Sequence, residues 1–204
     1  MIIGILIFSI LIIVFLILAA AGVFSRDKSS GGYETPEHRV GRLGEQFATK
    51  VISEVLNEGD TLFTNVRIYA DGKESELDNV IVNSYGVFIV EVKTYSGVLH
   101  GSEDDYEWFQ TKYTSGGNFY QKSVKNPIKQ VNRQVYILSR LFKENGINVW
   151  IEGYSFMTEC NAPFNHRQIL RNQYDIERAV HPSDGQKLNE GTRKRIAELL
   201  EQLK

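Results

Sequence analysis

Residues 76–93 read ELDNVIVNSYGVFIVEVK. Two β-branched and aromatic runs, 79–82 and 87–92, flank the turn-like Asn83-Ser84-Tyr85-Gly86. That is the pattern of a hairpin. A four-residue turn pairs Val82 with Val87, and the same register sets Asp78 opposite Glu91. Side chains two apart on a strand share a face, so Lys93 joins Glu91. Directly opposed residues have Cβ atoms about 4.5–5.5 Å apart. Two carboxylates that close repel unless a proton or a cation lies between them. Oxygen donors of this kind suit Mg²⁺, which is commonly held by one or two carboxylates with water and substrate phosphate. The plainer alternative is the wet, charged face of an ordinary hairpin. The apolar residues around the three charges weigh against it.

Working outward towards the N-terminus, 61–69 reads as a further strand, joined to the hairpin by an Asp71-Gly72 turn. Before it, 38–57 reads as an amphipathic helix in which Val40, Leu43, Phe47, Val51 and Val55 recur at spacings of three and four. Gly41 and Gly44 fall in its first turns, where each costs about 1 kcal/mol relative to alanine. That cost suggests a close approach of the backbone to a strand or a phosphate. Glu45 stands beside them, near the positive end of the helix dipole. Residues 25–37 carry Ser29-Ser30-Gly31-Gly32 and Pro36, the composition of a linker. Residues 1–24 hold no charge, and 2–21 are almost wholly Ile, Leu, Val, Phe and Ala. About 20 apolar residues suffice to cross a bilayer. A cleaved signal peptide is the alternative, but no Lys or Arg precedes the run, and the run is longer than the usual h-region. Arg26 and Lys28 follow the span, which orients the remaining domain to the cytoplasm.

Towards the C-terminus, 98–100 and 106–113 read as strands, with Trp108, Tyr113, Phe119 and Tyr120 expected in the core or at its rim, stacking on nucleic-acid bases being the alternative for them. Residues 126–144 form a second helix with Pro127 at its first position and an Ile128, Val131, Val135, Leu138, Phe142 stripe. Gln130 and Gln134 share another face. Lys125, Lys129 and Arg133 give this part of the chain a basic surface that suits phosphates, although it equally suits a solvated helix. Residues 149–157 read as a core strand, 175–180 as a short strand, and a last helix is capped by Thr192 with Ile196, Leu199, Leu200 and Leu203 inward. His166 and His181 stand alone, without metal-ligand spacing.

Composition limits the alternatives. Lys and Arg total 23 and Asp and Glu total 25, so bulk charge does not mark a nucleic-acid binder. Between 110 and 149, however, seven basic residues face a single acid, Glu144. A single cysteine, Cys160, excludes an intrachain disulfide and a zinc ribbon.

Four segments in order, Gly41-Arg42-Leu43-Gly44-Glu45, 76–82, Glu91-Val92-Lys93 and Asn126-Pro127-Ile128-Lys129-Gln130, resemble the nuclease-related domain family, NERD, itself similar to the PD-(D/E)xK nuclease superfamily. The resemblance covers 40–169. It implies an α/β fold, a mixed sheet with flanking helices and a restriction-endonuclease-like core, here preceded by one N-terminal transmembrane helix. The division is then an anchor at 1–24, a linker at 25–37, the nuclease-like domain at 38–170 and a C-terminal extension at 171–204 ending in a helix. It implies Mg²⁺ or Mn²⁺ on Asp78 and Glu91, with Lys93 orienting the attacking water, Glu45 supporting the metal site and Gln130 facing the same cleft. The expected function is a membrane-anchored, metal-dependent nuclease with its domain in the cytoplasm, acting on DNA or RNA. The alternative is a catalytically inactive module of the same shape that binds nucleic acid or protein at the membrane.

Overall fold

The fold is described from a computed structural model, in which residues 35–113, 116–159, 161–183 and 187–204 are described. The expected span at 1–24 and the linker up to residue 34 lie outside them. Among the described residues, no helix is long and apolar enough to cross a membrane.

The chain from Pro36 onward forms one compact unit. Helix α1 is Pro36–Val55. Strands β1, Thr61–Ala70, β2, Lys73–Asn83, and β3, Gly86–Lys93, follow it. Three further strands, β4, Val98–His100, β5, Glu107–Tyr113, and β6, Phe119–Lys125, lead to helix α2, Pro127–Glu144. Strands β7, Ile151–Met157, and β8, Ile169–Leu170, and helices α3, Gln173–Val180, and α4, Glu190–Glu201, complete it. Two sheets result, ordered β1-β2-β3-β7-β8 and β4-β5-β6. The larger one is mixed, because β1, β2 and β3 run antiparallel while β7 lies parallel to β3 and β8 parallel to β7.

The hairpin has the expected register, Val82 opposite Val87 and Asn79 opposite Val90. Asn83 sets its turn: Oδ1 accepts from the backbone of Tyr85 at 2.8 Å and Gly86 at 3.2 Å, and Nδ2 donates to the Val180 carbonyl. Alternation along the strands then sorts the two cores. Val80, Val82, Val87 and Ile89 face α2 and α4, whereas Ile81, Phe88, Val90 and Val92 face α1 and α3. Residues 171–204 belong to both layers, with Ile176 and Val180 in one and Ile196 and Leu200 in the other.

Several local expectations are corrected. Helix α1 begins at Pro36, two residues early, with proline in its first turn. Its inward face is Gly44, Ala48, Ile52 and Val55, while Val40, Leu43 and Phe47 are exposed. The reason is Gly44: a Cβ there would lie 1.9 Å from Thr94 Oγ1, so only a bare backbone lets the helix approach the end of β3. Gly41 has no such neighbour. Residues 175–180 are helical, because Asn172 accepts from the Asp175 amide and caps α3. The cap of α4 is Asn189, whose side chain accepts from the Thr192 amide. Of the four aromatics expected in or near the core, only Trp108 is buried; Tyr113, Phe119 and Tyr120 are exposed.

The two glycines of α1 separate by experiment. Gly41→Ala is expected to stabilise the protein by up to about 1 kcal/mol through helix propensity. Gly44→Ala should cost about 1–3 kcal/mol despite the same propensity gain, because the contact with Thr94 must open. Urea denaturation of both variants checks the opposite signs.

Candidate active site

The C-terminal end of β3 carries the site. Glu91 is 3% exposed, and its carboxylate is held from three directions. Lys93 Nζ donates to Oε1 at 2.6 Å, Gln130 Nε2 donates to the same oxygen, and Gln134 Nε2 donates to Oε2 at 2.6 Å. The β2–β3 ladder ends at Asn79 opposite Val90. Beyond it a side chain takes over: the Val92 amide donates to Asp78 Oδ2 at 2.7 Å. This bond places Asp78 next to Glu91 and continues the β2–β3 ladder through its carboxylate.

Charge in this cluster is unbalanced. Burial, and then the Glu91 charge, push the Asp78 carboxyl up to about 7, with the Val92 amide and Lys93 opposing them. Glu45 on α1 is also raised, first by burial and then by Glu76 and Glu91. Burial alone would lower the Lys93 ammonium, but the charge of Glu91, that of Tyr95 and the hydrogen bond to Glu91 hold it above its ordinary value. Glu45 and Lys93 open onto a cleft of about 670 Å³ between the first turns of α1, the end of β3 and the β5–β6 wall.

Glu45, Asp78, Glu91, Lys93 and Gln130 are therefore brought to one end of the sheet. Lys125, Lys129 and Arg133 are exposed, and none of them lines the cleft. Arg133 instead donates to the Glu74 carbonyl at 3.1 Å.

A family model for the nuclease-related domain matches residues 40–158, from α1 to just past β7. The chain belongs to the nuclease-related domain family. An uncharacterized protein of Bacillus anthracis is 28% identical over 106 residues, which are 51% of this chain and 47% of that one. The chain thus spans about half the length of the curated relative it matches. No solved structure matches it.

Within this nuclease-related domain the sequence reading missed Gln134. It is buried, and its amide also donates to the Glu76 carbonyl at 3.0 Å, so one side chain joins α2 to β2 and β3. The signal was its position four residues after Gln130. Among the cleft residues, Tyr95 was missed, Lys112 and Lys122 were read only as part of a basic segment, and Tyr120 was read as core or rim with base stacking as the alternative. Tyr95 lies in the segment after β3, Lys112 on β5, and Tyr120 and Lys122 on β6, so only pairing of β5 with β6 and the path of that segment bring them together. Among the described residues, no group of three His, Cys, Asp or Glu side chains is gathered as metal ligands. The oxygens that could take a hard cation are those of Asp78 and Glu91.

The Asp78 shift has a signed consequence. Its ordinary value is 3.8, and its value in the fold is about 7. Between these values the folded state binds the more protons, so the contribution to stability is complete in acid and is lost as pH rises from about 4 through about 7. In the absence of divalent cations, Asp78→Asn is expected to exceed wild type in stability at pH 8 by up to about 4 kcal/mol, a rise from 3.8 to about 7 being worth about 1.4 kcal/mol for each pKa unit. At pH 4 the two should coincide. Urea titrations at both pH values measure this, and equal stability at pH 8 would refute the assignment.

Proposed function

We propose that this chain is a metal-dependent nuclease that hydrolyses phosphodiester bonds of DNA or RNA, with Mg²⁺ or Mn²⁺ on Asp78 and Glu91. The observation that carries the reading is the buried Glu91 carboxylate, hydrogen-bonded to Lys93 and lying beside an Asp78 whose carboxyl is pushed up to about 7. A cluster that holds a carboxyl proton so tightly is short of positive charge, and a divalent cation is a natural supplier of it. The donor set suits such an ion. It consists of oxygens, Gln134 Oε1 is buried there without a hydrogen-bond partner, and Mg²⁺ needs only one or two carboxylates when water and phosphate complete its shell.

When bound, the cation would lower the pKa of a water and polarise the phosphoryl oxygen. The chain's own residues supply the positioning. Gln130 and Gln134 fix the Glu91 carboxylate in one orientation, and Asp78 is fixed by the Val92 amide. Lys93 offers an ammonium that orients the attacking water and offsets charge on the phosphate. Glu45 lies in the fields of Glu91 and Lys93 and borders the cleft through which substrate arrives.

A second reading is a binding module without turnover. Its support is the saturation of Glu91, whose Oε1 already accepts from two donors and whose Oε2 accepts from a third. In either case, the apolar run at 2–21 and the basic Arg26 and Lys28 support a single-pass anchor with the domain on the cytoplasmic side.

Calorimetry of Mg²⁺ binding to the full chain near pH 6.5, in two buffers of different ionisation enthalpy, separates the readings. Ligation requires a deprotonated carboxylate, so binding should release a fraction of a proton up to one, and Asp78→Asn should abolish that release. With plasmid or RNA present, wild type should cleave, and Lys93→Ala should lose about 100-fold or more in rate. Metal binding without cleavage of either substrate favours the binding module. No metal binding at all overturns the catalytic reading.

A further inference from the structure

The smaller sheet has one face that runs from the core into the cleft. Its cross-strand pairs on that face are Trp108 with Val124, Gln110 with Lys122, and Lys112 with Tyr120. The first pair is buried against Ile128 and Met157. The other two pairs border the same cleft as Glu45 and Lys93. Gln110 Nε2 donates to the Ser96 carbonyl at 2.7 Å, which ties this wall to the segment that follows Lys93.

We infer that this face is a track for a single-stranded polynucleotide, with phosphates on Lys112 and Lys122 and a base stacked on Tyr120. The inference rests on the nuclease reading of the adjoining site and names the form of substrate that reaches it. Size is the first argument. A cleft of about 670 Å³ has room for one or two nucleotides, and a base that enters it to meet Tyr120 must be unpaired. Chemistry is the second. Lys112 and Lys122 are diagonal neighbours across β5 and β6, a separation of about 7–8 Å, and both are long enough to follow successive phosphates. Tyr120 is 50% exposed between them, and an aromatic face stacks on any base. The third argument is already in place at Lys122. Glu37 Oε2 lies 3.1 Å from its ammonium, so an oxyanion of this chain occupies the position a phosphate oxygen would take. Both groups of the pair are exposed, and substrate competes with Glu37 for the same cation.

The test is fluorescence anisotropy of the full chain in EDTA, where metal-dependent cleavage is suppressed. The probes are a fluorescein-labelled 20-nucleotide oligothymidylate and a labelled duplex of equal length. Wild type should bind the single strand at least about tenfold more tightly than the duplex. Tyr120→Ala should weaken single-strand binding by about tenfold, with Tyr120→Phe retaining it, because the ring and not the hydroxyl stacks. Lys112→Ala and Lys122→Ala should each reduce the slope of log affinity against log salt by about 0.7. Glu37→Gln should strengthen binding by about twofold to threefold, by releasing Lys122. Equal affinity for duplex and single strand, or an unchanged Tyr120→Ala variant, overturns the track while leaving a nuclease that cleaves in Mg²⁺ intact. Binding of neither probe, with no cleavage in Mg²⁺, overturns the nuclease reading and the track together.

Discussion

The structure depends on how one buried carboxylate is satisfied. An ion of that kind on a central strand is tolerated only if donors saturate it. Glu91 obtains them from its own strand, through Lys93, and from one face of α2, through Gln130 and Gln134. The requirement fixes the angle and height at which α2 crosses the sheet. It also explains why α2 is so firmly capped: Asn126 Oδ1 accepts from the Ile128 amide, while its Nδ2 donates to the carbonyls of Ser102, Glu103 and Asp105. The residue that starts the helix therefore also holds the loop between β4 and β5. The site and the smaller sheet share one anchor.

Legibility followed the range of the interactions. The hairpin was readable because its register is set locally, by a turn whose Asn83 accepts from residues two and three positions on. Helix α2 was readable for the same reason, with its cap, its proline and its apolar stripe contiguous in sequence. Helix α1 was not. Two apolar sets at helical spacing coexist on it, and what chooses between them is the approach of Gly44 to Thr94, fifty residues away. Val40, Leu43 and Phe47 look like a core stripe until that contact turns them outward. The strand expected at 175–180 failed through a cap. Asn172 and Asp175 stabilise a helical start that the β-branched residues alone do not reveal.

The site divides in the same way. Glu91, Lys93 and Asp78 lie on one hairpin, so alternation and register place them together. Gln130 and Glu45 needed the family resemblance, since nothing in their own helices points to β3. Gln134 was visible only as a face shared with Gln130. The cleft wall was invisible to spacing because Lys112 and Lys122 become neighbours only when β5 pairs with β6. The basic residues that looked most like a phosphate surface, Lys125, Lys129 and Arg133, lie off the cleft, whereas Lys112 and Lys122, noted only as part of a basic segment, line it.

Placing two carboxylates in such different surroundings gives them different tasks. Glu91 has its oxygens engaged by three side chains and is the fixed point of the cluster. Asp78 has a single amide donor and lies in the field of Glu91, which with its burial pushes its carboxyl to about 7. A positive charge that enters the site would therefore favour the ionised form of Asp78, whose carboxyl burial and the Glu91 charge hold up. In a nuclease of the kind proposed, the same asymmetry would set the direction of the chemistry. Lys93 is bound to the fixed carboxylate and, with Tyr95, lines the cleft that the β5–β6 wall borders, so it belongs to both the cluster and the cleft. A substrate held by Lys112 and Lys122 would meet Lys93 next, and the carboxylates behind it.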